Sequence, residues 1–314
     1  DDADDDPLSL QWSITHVSDP GTTCTLTDDT TLTPTINCDD DAVVTATLAI
    51  DDGINPPVEI EAELTIGNVA PTAGPITTSP IVMEIGTPLT AGINFADVGT
   101  NDTHTVDIDW EDGNVTSATV TETNGSGSAS GSHTYADVGL YWISITVTDD
   151  DTGAVTVLHD FYVVVYDPDA GHVRSTAHFD SPSGAHTPED TGDPDITGDA
   201  SLGLQVQYDI GDTIPSGHAD FRFNTGNIDM DSTGFAWLVV TDVGTKAIFR
   251  GTGEVNNVGG YEFVVSVIDG PTDYVRIKVW QTSSGTVIYD TQFGDADDAD
   301  AITPTTNGQV VIDV

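Results

Sequence analysis

Residues 141–148 read YWISITVT, and the acidic turn DDDTG follows at 149–153. Tyr141, Ile143, Ile145 and Val147 fall on one face of an extended chain, and Ser144, Thr146 and Thr148 on the other. An apolar residue at every second position marks a strand with one buried face. The same grammar governs VVTATLAI at 43–50, where Val44, Ala46, Leu48 and Ile50 share a face and DDG follows at 51–53. In DYVRIKVW, residues 273–280, one face carries Val275, Ile277 and Val279, the other Tyr274, Arg276, Lys278 and Trp280. Helical periodicity is nearly absent, and Gly, Pro, Asn and Asp bound the apolar runs. The expected class is all-β: tandem Ig-like β-sandwiches followed by a larger β-sandwich domain.

The first two strands recur in one context. Roughly 30 residues before each lies an apolar-Trp segment, LQW at 10–12 and IDW at 108–110. That is an internal repeat of one module. The stretch GNVAPTAGP at 67–75 links the copies, and a second composition shift comes at YDPDAGH, 166–172. The expected domains are therefore 1–67, 68–166 and 167–314, with the Asp-, Gly- and Pro-rich segment 181–199 as a long loop in the last.

The second copy resembles a PKD (polycystic kidney disease) domain. The residues that carry the resemblance are Asp109, Trp110, Asp112 and Gly113, then His133, Thr134, Tyr135, Gly139 and Tyr141. Glu111 departs from it, standing where that family usually has glycine. The resemblance implies a seven-stranded Ig-like sandwich in which His133 is structural. Residues 1–67 look like a diverged copy. The last domain resembles a β-rich module that follows PKD repeats in large secreted prokaryotic proteins, on the residues 237–240, 249–270 and 275–290. Against that pattern the first copy is short at its front, since only nine residues precede LQW. Three readings stay open: a slice of a longer protein, a strand donated by a neighbouring copy, or a short domain. The terminal QVVIDV at 309–314 is one donor candidate, and it equally suits a last strand of its own domain.

Charge excludes several functions. Asp and Glu number 53 against 6 Lys plus Arg, a net charge of −47, and all six bases lie at or beyond Arg174. Nucleic-acid binding needs Lys and Arg for phosphate, and so does an anionic membrane surface. No apolar run is long enough to insert in a membrane as a helix. Self-repulsion of this size calls for cations, either divalent ions held in sites or high salt. Aspartate outnumbers glutamate 44 to 9, which fits coordination by loops.

Two carboxylate pockets are expected, because the B–C and F–G loops of an Ig-like sandwich share one end. The first would join Asp2, Asp4 and Asp6 to Asp51 and Asp52. The second would join Asp97 and Asp102 to Asp149 and Asp151. The first run, in DDADDDPL, resembles loops of Ig-like surface repeats, some of which hold calcium at domain junctions. Calcium is the expected ion, and a solvated, salt-tolerant surface is the competing reading. The run FGDADDAD at 293–300 reads as a solvated loop.

Catalytic signatures are missing. There is no HExxH, no GxSxG and no phosphate loop. His172, His178 and His186 are spaced without the partners a zinc site needs. Cys24 and Cys38 suit a disulfide across a hairpin, which would place the chain in an oxidising, extracellular compartment; two buried thiols are the alternative. Asn101, Asn114 and Asn124 begin glycosylation sequons. NGSGSASGS at 124–132 reads as a flexible hairpin tip. Arg276, Lys278 and Trp280 share a face that either docks a partner or forms local salt bridges. The function expected is a non-enzymatic, extracellular structural subunit of a surface layer, sheath or filament, bound to copies of itself. A polysaccharide- or protein-binding accessory region is the alternative.

Overall fold

The computed structural model describes residues 7–18, 21–186, 195–241 and 244–313. Among them the only helix is one turn of 3-10 at Asn224–Gly226. The protein is all-β. No helix among the described residues is long and apolar enough to cross a membrane.

The first segment has five strands: β1 (Ser9–Val17), β2 (Cys24–Thr27), β3 (Thr35–Cys38), β4 (Ala42–Asp51) and β5 (Val58–Ile66). β1, β4 and β5 form an antiparallel sheet in that order, and β2 pairs β3 as a separate hairpin. The expected face of β4 is the inner one, with Val44 and Ala46 buried. Along β5, however, Val58, Ile60 and Leu64 stand 62%, 56% and 42% exposed. Cys24 and Cys38 are register partners across the β2–β3 hairpin and are disulfide-bonded. A cross-link over a loop of this length restricts the unfolded chain. Replacing both cysteines with serine should cost about 2–3 kcal/mol of stability, read from denaturant unfolding with and without reductant.

The next segment carries β6 (Thr72–Ala73), β7 (Thr77–Ser79), β8 (Val82–Glu84), β9 (Pro88–Ala96), β10 (His104–Asp109) and β11 (Val115–Ser117). Then come β12 (Thr119–Thr123), β13 (Ser126–Thr134), β14 (Gly139–Tyr141), β15 (Ser144–Asp149), β16 (Ala154–Leu158) and β17 (Val163–Tyr166). One sheet runs β11-β10-β15-β16; a second runs β12-β13-β9-β6, with β7 also on β9; a third runs β14-β17-β8. The order β10-β15-β16 repeats β1-β4-β5, as expected of two copies of a module.

Two sequence expectations change here. The run 141–148 is not one strand, because the chain leaves one sheet after Tyr141 and enters another at Ser144. The Trp142 N–H is taken by the Glu111 carboxylate rather than by a ladder. Glu111 itself has φ +64°, a conformation that suits glycine better. The segment 124–132 is not a flexible tip either. Only Asn124 and Gly125 form the turn, both with positive φ, and Ser126 onward is strand β13. Its small residues are there for space. A Cβ on Gly127 would run into the Phe95 ring, and one on Gly131 would lie 2.8 Å from Ile108 Cδ1. Gly127→Val should therefore lose about 1–3 kcal/mol through overpacking, seen as a lower melting temperature.

His133 fits its expected structural role. Its Nε2 lies 2.6 Å from Asp112 Oδ2, and its ring stacks on buried Trp110 at 5.0 Å.

The last segment holds β18 (His172–Ser181), β19 (Gly198–Gln207), β20 (Ser216–Phe223), β21 (Ile228–Val240) and β22 (Lys246–Val255). β23 (Val258–Ile268), β24 (Tyr274–Gln281), β25 (Val287–Asp290), β26 (Thr303–Pro304) and β27 (Val310–Asp313) complete it. They make one antiparallel sheet, β25-β24-β23-β22-β21-β20-β19-β18-β27, with β26 on β24. The sheet folds over itself, since the Tyr289 ring of β25 lies 4.6 Å from Phe221 of β20 and its hydroxyl donates to Ser181 Oγ of β18 at 2.9 Å. The C-terminal strand β27 pairs β18, so it finishes its own domain.

Among the described residues, strand pairing stays within the segments 1–67, 68–166 and 167–314. Compactness groups the chain differently, into two units. The first is 1–79, 90–133 and 142–161; the second is 80–89, 134–141 and 162–314.

Candidate metal centre

In the first unit, the run Asp39-Asp40-Asp41 stands directly before β4. Thr100 N donates to Asp39 O at 2.8 Å, and Asn101 Nδ2 donates to Gly21 O at 3.1 Å. These bonds seat the loop 97–103 of the second copy against the first copy. The β10–β15 register places His104 opposite Asp149, so the loop before β10 and the turn after β15 meet at the same end.

Two sets of carboxylates result. One oxygen each from Asp40, Asp102 and Asp151 lie within 4.8 Å of one another, and so do oxygens from Asp97, Asp102 and Asp149. Asp102 belongs to both sets and is the centre of the site. Asp40, Asp102 and Asp149 are buried, Asp97 is half-buried and Asp151 is exposed.

Most of these carboxylates have one oxygen tied down. Asp97 Oδ1 accepts from Gly99 N at 2.9 Å, Asp149 Oδ1 from Gly153 N at 2.6 Å, and Asp40 Oδ1 from Asp41 N at 2.8 Å. Asp149 Oδ2 accepts from Asn68 Nδ2 at 3.0 Å, and Asp97 Oδ2 lies 3.3 Å from Nε2 of buried His104. Asp102 is the exception. Its residue is 6% exposed, and its Oδ2 is buried with no hydrogen-bond partner. A buried carboxylate oxygen without a donor is costly. Glycine lets the carboxylates come so close to the chain: a Cβ on Gly99 would strike the Asp102 carboxylate, and one on Gly153 the Asp149 carboxylate.

Electrostatics follow from the geometry. Burial pushes the Asp102 carboxyl up to about 8, and a hydrogen bond with Asp40 and the charges of Asp40, Asp97 and Asp150 add to it. Sharing a proton with Asp41, and that carboxylate's charge, raise Asp151. The unit contains no Lys or Arg to offset them, because all six stand at Arg174 or beyond. Oxygen-only donors, several of them charged, match a hard divalent cation.

The second expected pocket is thus brought together: Asp97, Asp102, Asp149 and Asp151 converge. The first is not. Asp51 and Asp52 stand at the far end of β4 from Asp40 and cap their own turn. Asp51 Oδ1 accepts from Gly53 N at 2.7 Å, and Asp52 accepts from Ile54 N, Asn55 N and Asn55 Nδ2. The two bonds from Asn55, with that from Ile54, lower Asp52 to about 2. Asp2, Asp4 and Asp6 lie outside the described residues. Asp40 was missed, although the triplet 39–41 directly after Cys38 was the signal for it.

Other candidates resolve as structure. His172 faces Asp313 and His178 faces Asp199, and no metal-binding group among the described residues includes either or His186. Asn101, Asn114 and Asn124 are exposed, with Asn101 engaged at the seam just described. Trp280 is not free; Arg250 and Lys278 lie 5.1 and 5.5 Å from its ring centre. Arg276 is 1% exposed, so its face is covered rather than a docking surface. The acidic run 293–300 does the covering. Lys278 binds Asp297 at 2.8 Å and Lys246 binds Asp300 at 2.7 Å.

No known family matches the chain, and no curated protein matches it. Among solved structures, it is similar to the uncharacterized protein lmo2446 from Listeria monocytogenes EGD-e, crystallised with α- and β-D-glucose, magnesium and calcium. The identity is 10% and the TM-score 0.26 over 76% of this chain, which spans 20% of that protein. A likeness of that size carries no argument.

Proposed function

We propose that this chain is a calcium-clamped structural unit of an extracellular assembly, a surface layer, sheath or filament built from copies of itself. The reading rests above all on Asp102, whose buried, unpartnered Oδ2 lies among four other aspartates drawn from both copies of the module. An ion there replaces mutual repulsion with shared coordination and holds the two copies as one body. Calcium fits because it accepts six to eight oxygens in irregular geometry.

Other features support the setting. The Cys24–Cys38 disulfide suits an oxidising compartment. The exposed apolar side chains of β5, an edge strand, offer contact area between copies. The His133–Asp112 and His133–Trp110 contacts suit the PKD resemblance. A platform of exposed aromatic rings would favour a sugar-binding accessory region, but Trp237 and Tyr289 are buried.

The test is light scattering of the purified chain against calcium, with chelator and molar sodium chloride as separate arms. Assembly that needs calcium and not sodium supports the reading. A monomer under every condition refutes the structural polymer.

A further inference from the structure

We infer that the second unit binds a neutral saccharide in a cleft at one end of its sheet, a site independent of the metal centre. The cleft has a volume of about 420 Å³, in the range of small-ligand pockets. Its floor and rim include Asn227, Asn256, Tyr261, Gln281, Ser284 and Thr286. No lining residue is Asp, Glu, Lys or Arg. That is unusual in a chain with 53 acids. The cleft at Asp40 and Asp102, the one beside Cys38, and the one at Arg174 and Asp220 all carry aspartate.

Strand alternation keeps carboxylates, lysines and arginines out of this cleft. Ile228 and Tyr261 line it, while their neighbours Asp229 and Glu262 pair with Arg222 and Arg250. The polar groups are also held in place. Asn256 donates through N to Asp229 O at 2.7 Å and through Nδ2 to Asn227 O at 2.8 Å. Gln281 N donates to Thr286 O at 2.9 Å, and Gln281 Oε1 accepts from Ser284 Oγ at 3.2 Å. Tyr261 is the register partner of Gln281 and adds a half-buried ring beside that amide.

Chemistry selects the ligand class. With no Lys or Arg the cleft does not favour an anion, with no Asp or Glu it does not favour a cation, and its one imidazole, His186, is buried. An apolar ligand would strip water from the amides and hydroxyls and leave them unpaired. A neutral ring bearing several hydroxyls satisfies them, while its C–H face rests on the tyrosine.

The experiment is saturation-transfer NMR on the full chain with glucose, galactose, mannose and N-acetylglucosamine at millimolar levels, and glucuronate as the charged control. The expected result is transfer to at least one neutral sugar and none to glucuronate, unchanged by chelator or molar sodium chloride. Gln281→Ala should weaken binding about tenfold, and Ser284→Trp, which fills the cleft from an exposed turn, should abolish it. No transfer to any neutral sugar, equal transfer to glucuronate, or transfer that survives Ser284→Trp would each overturn the assignment. Chelator independence separates this outcome from the fate of the calcium reading.

Discussion

Arg276→Met should destabilise the second unit by about 3–5 kcal/mol, a far larger loss than a surface charge would give. Arg276 and Asp290 are 1% and 2% exposed, and their Nη2 and Oδ2 atoms are 3.3 Å apart. The guanidinium also donates to the carbonyls of Asp295, at 3.0 Å, and Ala296. Removing the arginine strands a buried carboxylate and two carbonyls, and that desolvated remainder is the main cost. The double variant Arg276→Met with Asp290→Leu should recover much of the loss, because an apolar pair leaves no charge behind. Denaturant unfolding of the two single variants and the double variant measures this. A loss below about 1 kcal/mol in Arg276→Met would mean the pair is effectively solvated.

Calcium at about a thousand times its dissociation constant should stabilise the first unit by about 4 kcal/mol, or about 10 °C in melting temperature. The effect should depend on pH in a defined direction. Asp102 is raised to about 8 in the folded chain, against an ordinary value of 3.8. A raised folded value means the native state holds its proton longer than the unfolded state does. The metal-free protein therefore keeps this stability below pH 3.8 and loses it progressively as pH rises to about 8. Calcium needs the deprotonated form, so its stabilising effect should grow over the same window. Asp102→Asn removes both effects. Without metal it should melt above the parent at alkaline pH, and calcium should no longer shift it. Melting curves across this pH range, with calcium or chelator, check all three outcomes.

Strand faces were legible from sequence because they depend on local alternation. Val275, Ile277 and Val279 are fully buried as their period demands, and Cys24 meets Cys38 because a hairpin of that length brings them into register. The convergence of Asp97, Asp102, Asp149 and Asp151 was also legible, since loops at one end of a sandwich meet whatever their separation in sequence. Asp40 was not. Its place in the site depends on which end of one module abuts the next, and that is a tertiary fact. The run 141–148 alternates like one strand, yet it serves two sheets, because the break at Trp142 is made by a distant carboxylate, Glu111. Gly127 and Gly131 read as flexibility and serve as clearance for Phe95 and Ile108. Local salt bridges were one of the two readings of the Arg276–Lys278 face; the burial of Arg276 was not legible, because Asp295 and Ala296, whose carbonyls bind it, lie in a loop without periodicity.

The proposed role of Asp102 is to anchor a bound calcium ion. Isothermal titration calorimetry of calcium into chelator-stripped protein, run in two buffers of different ionisation heat at near-neutral pH, tests it most directly. The expected result is saturable binding in the parent with protons released as calcium enters, and its loss in Asp102→Asn. Equal binding in Asp102→Asn, or no saturable heat in the parent, would contradict it.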